Sequence, residues 1–511
     1  MGNIRVRGMS PVQSPIGTEL SCKGWEQEAA LRMLMNSVAV AEEPEELLAS
    51  GGVGKVARDW EAFHEIIATL KRLENDESLL VESGRPAGIH RTGRTAPRVL
   101  MVGARSASEE RLVPTFEPAP APTLMNDKHH PLAGSWAYVG PAGAFHTSYE
   151  VLAAIKERCH GDLTGKLVVS AGMGGMGGAL PLAAAAHGAA FLGIEVAMAT
   201  ITRRIREGYC DYCVNDLDEA LRILKIAIRR RQPVSVGLVA NASETVPELA
   251  RRGVLPDVLT DQTCAGYPVN AYVPAGLSPE AAAELRNRSP HDYLARSTAS
   301  IARHVQGMLD LQKLGALTFE FGNGIRATAS ELGGVKEAFS FPSFVEAFLE
   351  PLIRRGRSPV LWVALSGNPA DGCKIDETLP ELFPEDKGLS HSAHFARKYM
   401  RFQGLPARGS WLSREERLLF AARINRLVGT QKITAPVVFV TDECEGLERG
   451  IPFTPSPTHF EASVMAGASW VALPRENLGR RLLHPVCALL ADGTPHAAER
   501  LRRAFAASPS K

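Results

Sequence analysis

The chain has 511 residues, 45% hydrophobic and 22% charged, with a formal net charge of +1. That length predicts about two to four domains, and the near-neutral balance excludes a protein built on a global field for nucleic acid or anionic membrane. The opening "MGNIRVRGMSPVQSP" lacks an apolar h-region, so no secretory signal or myristoylation is expected.

Taken in chain order, "WEQEAALRMLMNSV" predicts a helix, and "ASGGVGKVARDWEAFHEIIATLKRL" sets three glycines before a second, amphipathic one. "APRVLMVGA" reads as a strand. "VPTFEPAPAPTLMNDKHHP" is proline-rich, has no period and reads as a linker.

"KLVVSA" (166–171) is the first of several short β-branched runs, each predicting a buried strand. It leads into "GMGGMGGALPLAAAAHGAAFLGIEV", where Gly172, Gly174 and Gly177 stand in G-x-G-x-x-G spacing. A membrane span is excluded by the Ala and Gly content and by Pro181, His187 and Glu195. The motif carries weight only between a strand and a helix, with an acid about 20 residues on. All three are present: the strand before it, "ALPLAAAAHG" as helix, and Glu195 ending the next strand. The glycines allow a tight turn and close approach to a pyrophosphate, the helix N-terminus supplies N–H groups, and the acid grips a ribose hydroxyl. The stretch therefore predicts a dinucleotide cradle.

Strand and helix signals keep alternating through "LDEALRILKIAIRRR", "PVSVGLVA", "SETVPELARRG" with Ser243 as N-cap, "DVLTDQ" and "ALTFEF". Such alternation predicts a mostly parallel, doubly wound sheet, with ligands beyond the strand C-termini. Asn241, Gln262, Thr263, Asn323 and Arg326 fall there, as ligand neighbours or as local caps and turns. The last third returns to a mixed pattern ("VLWVALSG", "LLFAARINRLV", "APVVFVTDE", "ASWVALP"). The fold class is α/β. A Rossmann-type domain over 140–345 is inserted in a mixed α/β core domain built from 1–139 and 346–511. The eight scattered cysteines predict a reducing, cytoplasmic setting. Cys210 and Cys213 form one C-x-x-C without a second pair at zinc spacing, so no metal is expected.

Several ordered blocks resemble the urocanase (urocanate hydratase) family over nearly the whole chain: "AGMGGMGGALPLAA", "LTDQTCAGYPVNAYVPAG", "FGNGIRATA", "WVALSG", "FQGLPAR" and "APVVF". The resemblance implies a tightly bound NAD+ used as an electrophile. It implies that water is added 1,4 to an imidazole acrylate with no net redox. It implies no nucleic-acid or membrane partner, and a homodimer. It assigns cofactor contacts to Gly51, Gly52, Gly175, Met176, Gly177, Glu195, Asn241, Ala242, Gln262, Thr263, Cys264, Ala265, Tyr272, Val273 and Phe321. Asp442 matches an acidic position near the chemistry, and His130 stands where the family has glutamine.

The departures fall where substrate would sit. Ser410 replaces the family's active-site cysteine and Leu361 an arginine that pairs with the substrate carboxylate. Gly266 replaces a histidine, Tyr267 an acid, Phe321 a tyrosine and Thr200 an arginine, and "PRENLGRRLLHP" replaces a glycine-rich loop. Changes confined to one side of the site suggest a retuned pocket for a bulkier, less polar ring, thiourocanate or its S-methyl form. The carboxylate still needs a cation, for which Arg408, Arg414, Arg480 and Arg481 are available. A plain urocanate hydratase, a pseudoenzyme with a dead pocket and a conventional dehydrogenase are the other readings.

Overall fold

The computed structural model describes residues 12–42, 44–48, 56–102, 133–158, 161–266, 269, 271–442, 463–473 and 486–506. The described strands are β1 (Glu77–Glu82), β2 (Arg85–Arg91), β3 (Val99–Val102), β4 (Leu167–Ala171), β5 (Ala190–Glu195), β6 (Tyr212–Val214), β7 (Ser235–Val239), β8 (Val258–Asp261), β9 (Leu317–Thr318), β10 (Arg357–Ala364), β11 (Ala407–Ser413), β12 (Val437–Asp442), β13 (Trp470–Leu473) and β14 (Val486–Ala491). They form two sheets.

The six-stranded sheet runs β6-β7-β5-β4-β8-β9, and every pairing in it is parallel. Its central strands are apolar throughout because both faces are covered. Val168 and Phe191 enter one core beneath the helix Pro141–Arg158, while Leu167, Val169, Leu192 and Ile194 enter the other. The chain leaves β4 toward β5 on one side and returns to β8 on the other, so the strand order reverses between β4 and β8. A crevice opens at such a reversal, outside the strand C-termini.

The eight-stranded sheet runs β11-β10-β12-β14-β13-β3-β1-β2 and draws on both ends of the chain. β3 from the first third lies parallel to β13 from the last. The β1–β2 hairpin turns at Ser83 and Gly84, both at positive φ (52° and 72°), as a primed two-residue turn requires. The edge strand "RPAGIHR" carries Pro, Gly and charge, features that blunt an exposed sheet edge. Within β10, Leu361 pairs with Gly409 of β11 and Val440 of β12. Leu361, Val363 and Val440 share one core, and Val360, Trp362 and Leu412 share the other.

Two connections join the sheets. The helix Pro141–Arg158 sends Phe145 and Tyr149 into the core that holds Leu180 and Phe321, while its Thr147 accepts from Trp411 Nε1 at 3.2 Å. On the helix Met198–Arg206, Arg203 donates to the carbonyls of Val40 and Ala41, and Arg204 pairs with Glu42. Among the described residues, no helix is long and apolar enough to cross a membrane. One predicted cap moves: Asn241, not Ser243, caps the helix Ala242–Arg251, its Oδ1 accepting from the Ser243 N–H at 2.9 Å. Asn241 lies directly at the end of β7, so its side chain reaches the first free N–H groups.

Candidate active site

The glycines after β4 meet three different demands. Gly172 has φ +80°, and a Cβ there would run into the Gln262 backbone. Gly177 lies so close to the Gly172 carbonyl that a Cβ would overlap its oxygen. Gly174 has nothing within 4 Å of its Cβ position. The first glycine thus makes the turn, the third lets the following helix pack down, and the second faces open space, as a backbone that must approach a pyrophosphate requires. At the end of β5, Glu195 accepts from the Met173 N–H at 2.9 Å and the Ala197 N–H at 3.1 Å. Its carboxylate pins the glycine loop and retains lone pairs for a further donor. Burial raises its pKa, against the backbone N–H groups of Met173, Ala197 and Val196, which lower it. Met176 is exposed on this loop, and a Cβ at Gly175 would strike the Tyr138 hydroxyl.

The second loop of the crevice follows β8. Ala171 and Asp261 are level in the sheet, and the Gln262 N–H donates to the Ala171 carbonyl at 2.7 Å, placing residues 262–266 beside the glycine loop. A buried polar network holds that loop. Asp261 accepts from Thr263 Oγ1 at 2.8 Å and from Asn323 Nδ2, which also donates to the Thr263 carbonyl at 2.9 Å. Behind Asp261, His304 stands 3.9 Å away and shares a hydrogen bond with Tyr272 Oη at 3.2 Å. Burial pushes Asp261 up to about 7 and His304 down to about 3, so burial favours the neutral form of both. Cys264 is exposed and Ala265 buried on this loop. The network joins residues far apart in sequence, and only the "DQT" turn hinted at it.

Asp261→Ala is expected to strand Thr263 Oγ1 and to leave Asn323 Nδ2 with its Thr263 carbonyl bond but without the carboxylate. The cost is about 1–3 kcal/mol in a denaturant titration, with release of the 262–266 loop. The sign with pH follows from a carboxyl raised in the folded state from 3.8 to about 7. Its contribution is full below pH ~4 and declines as pH rises toward 7. The stability gap between wild type and variant should therefore narrow over that window. A gap that widens would refute the assignment.

Across from these loops lies the β10–β11–β12 face. Leu361 is buried there, and the Cβ position of Gly143 is 3.8 Å from both its Cδ atoms. The stretch from Tyr138 to Gly143 therefore runs from the glycine loop to Leu361. Phe321, after β9, is buried and stacks on Phe344 with ring centroids 4.6 Å apart.

Models of the three domains of one family match the chain in order. The urocanase N-terminal domain covers residues 12–126, the urocanase Rossmann-like domain 140–348 and the urocanase C-terminal domain 351–511. The chain belongs to the urocanase family. The six-stranded parallel sheet is that family's Rossmann-like domain, and its glycine loop sits at the strand-order reversal.

Against the urocanase pattern, the residues read as polar contacts divide. Asn241 spends its Nδ2 on the carbonyls of Val273 and Pro274 and its Oδ1 on the cap, so its side chain ties two loops together. Asn323 serves Asp261, and Arg326 is paired with Glu320 at 2.5 Å and with the Phe341 carbonyl at 2.8 Å. Ala242 is buried under the cap, and Val273 packs beside Tyr293. Thr200 is half-buried on the helix that carries Arg203, and Gly266 closes the 262–266 loop.

The cations expected to meet a carboxylate are a correction. Arg408 pairs with Trp362, not Leu361, so it leaves the opposite face of β11. There it is buried, 3.6 Å from Asp376 and over the Phe402 ring at 4.2 Å. Arg414 donates to the Phe505 carbonyl at 3.1 Å. Strand alternation puts Ser410 on the Arg408 side as well. Spacing along one strand says nothing about which face it serves until the register is known. Asp442 ends β12, opposite Val486. Gly51, Gly52, His130, Tyr267, Arg480 and Arg481 lie outside the described residues.

Proposed function

We propose that this chain is a hydratase that adds water 1,4 to an imidazole acrylate, with NAD+ in the glycine-loop crevice and no net redox. The observation that carries the reading is the open space at Gly174 between two tightly packed glycines that lie against Gln262. That fits a dinucleotide. When bound, NAD+ supplies an electron sink for the substrate ring.

The protein's part is to bind, orient and move protons. Glu195 and the glycine-loop N–H groups hold ribose and pyrophosphate. The Asp261 network fixes the loop beyond β8. Asp442 handles the proton that accompanies water addition.

The substrate reading is thiourocanate or its S-methyl form. Support comes from Leu361, Gly266 and Phe321 standing where the family's polar groups would be. An apolar pocket discriminates by size, and filling space beside the ring with sulfur or methylthio is worth roughly 1–3 kcal/mol. The two tests belong together. Denatured protein should release close to one equivalent of NAD+, and kcat/KM for a thio-substituted substrate should exceed that for urocanate at least about tenfold. Urocanate as the better substrate would make this a plain urocanate hydratase. NAD+ retained without turnover of any of the three would favour a pseudoenzyme, and a stoichiometric change at 340 nm a dehydrogenase.

The resemblance also supports a homodimer and the cysteine content a cytoplasmic setting. Light scattering near twice the 55.0 kDa chain mass and eight free thiols in unreduced protein are the checks.

A further inference from the structure

The tip of the glycine loop rests on a residue that lies outside the Rossmann-like domain. Of its three residues, Gly174 has open space at its Cβ position and Met176 is exposed. Gly175 is different: the three atoms nearest its Cβ position all belong to Tyr138, the hydroxyl first. The φ of Gly175 is not in the left-handed region, so the phenol, and not the backbone conformation, is what excludes a side chain there. Among the described residues, neither the Gly174 nor the Gly175 N–H donates to a group of the fold. Free donors beside open space suit the oxygens of a pyrophosphate.

Tyr138 is itself held firmly. It is buried in the core of the eight-stranded sheet with Val40, Leu361 and Val440, and its carbonyl accepts from Ser37 Oγ at 3.3 Å. Glu42, Arg203, Arg204 and Glu207 act electrostatically on its hydroxyl. Those four are paired among themselves: Arg203 lies 3.3 Å from Glu42 and 2.8 Å from Glu207, and Arg204 lies 3.2 Å from Glu207 and also pairs with Glu42. Arg204 braces the loop a second time, since a Cβ at Gly178 would come 2.6 Å from its Cδ. Burial raises the Tyr138 pKa, so it meets Gly175 as a neutral hydroxyl on a ring with little freedom to move.

We propose that Tyr138 is a positioning residue for the dinucleotide: its hydroxyl is the stop on which Gly175 rests, and it holds the Gly174–Gly175 backbone out toward the open space where the pyrophosphate binds. The cofactor site is then completed by the other sheet's core and does not belong to the Rossmann-like domain alone. The assignment rests on the NAD+ reading above, and the experiment separates the two.

Full-length wild type, Tyr138→Phe, Gly175→Ala and the double variant would be compared for bound NAD+, for the rate at which bound NAD+ exchanges with isotope-labelled NAD+, and for Tm of the ligand-free protein. Tyr138→Phe keeps the ring and removes the stop, so exchange should run at least about tenfold faster, the scale of one weakened hydrogen bond to a charged group. Its Tm should stay within about 2 °C of wild type, since the core packing is kept. Gly175→Ala should also speed exchange at least about tenfold, because its methyl pushes the loop off the hydroxyl. In the double variant that methyl takes the place of the missing oxygen, with Cζ the nearest remaining atom of the ring at 3.1 Å. Exchange there should be slower than in either single variant, whereas a purely structural role for the ring gives losses that simply add. Tyr138→Phe exchanging like wild type overturns the assignment and leaves the NAD+ reading standing. An equal effect of Gly175→Ala in both backgrounds overturns it as well, since the contact between the two residues would then carry nothing. If wild type neither holds nor takes up NAD+, the NAD+ reading falls and the Tyr138 assignment falls with it.

Discussion

Asp442→Ala is expected to lower kcat/KM at least about 100-fold, the usual scale for a general acid–base group, while Ser410→Ala keeps most of the activity. The contrast comes from chemistry and from register. A serine hydroxyl does not ionise near neutrality and acts as nucleophile or acid only beside a base. Ser410 pairs with Val360, one step from the Gly409–Leu361 pair, so alternation turns it to the side of Arg408 and Trp362. Asp442 closes β12 two residues beyond Val440, which pairs with Leu361. Its backbone therefore lies at the sheet end nearest the Leu361 position. NAD+ content should stay at the wild-type level in both variants, which separates lost proton transfer from lost cofactor. Comparable losses in the two would mean that the roles are reversed or shared.

The second large effect concerns two glycines three residues apart. Gly177→Ala and Gly174→Ala should each lower NAD+ affinity at least about 100-fold, the scale of two lost hydrogen bonds to a charged group. The reasons differ, and so should the stabilities. At Gly177 the new methyl meets the Gly172 carbonyl oxygen and the Gln262 side chain. Backbone in a close-packed turn cannot give way cheaply, and overpacking costs about 1–3 kcal/mol. The ligand-free protein should then melt about 2 °C lower or more. At Gly174 the methyl enters open space, so Tm of the ligand-free protein should not move while the methyl occupies room a pyrophosphate needs. If Gly174→Ala retained NAD+ like wild type, the dinucleotide would not approach the backbone there.

The sequence by itself determined the parallel sheet and its glycine loop, because those signals are local. β4 and β5 are continuous apolar runs, each closed by its own turn, and a strand buried on both faces must look like that. The distance from the glycines to Glu195 is set by one helix and one strand, so it is legible without any partner. The order of the urocanase blocks was likewise visible in the chain alone.

Tertiary structure decided what depends on register and on pairing across long separations. Leu361 and Ser410 sit on neighbouring strands, yet they face opposite cores because β10 and β11 align Leu361 with Gly409. A shift of one residue would exchange those faces, and no local pattern fixes it. Arg408 reads as a free cation in the sequence and is buried against Asp376 in the fold. Ser243 looked like the cap, but Asn241 takes that place because β7 ends beside it. The Asp261–His304–Tyr272 network and the contact of Tyr138 with Gly175 each join segments distant along the chain. Such contacts form only where sheets and helices have already been brought together, and the free energy that selects them lies in the packing rather than in either segment alone.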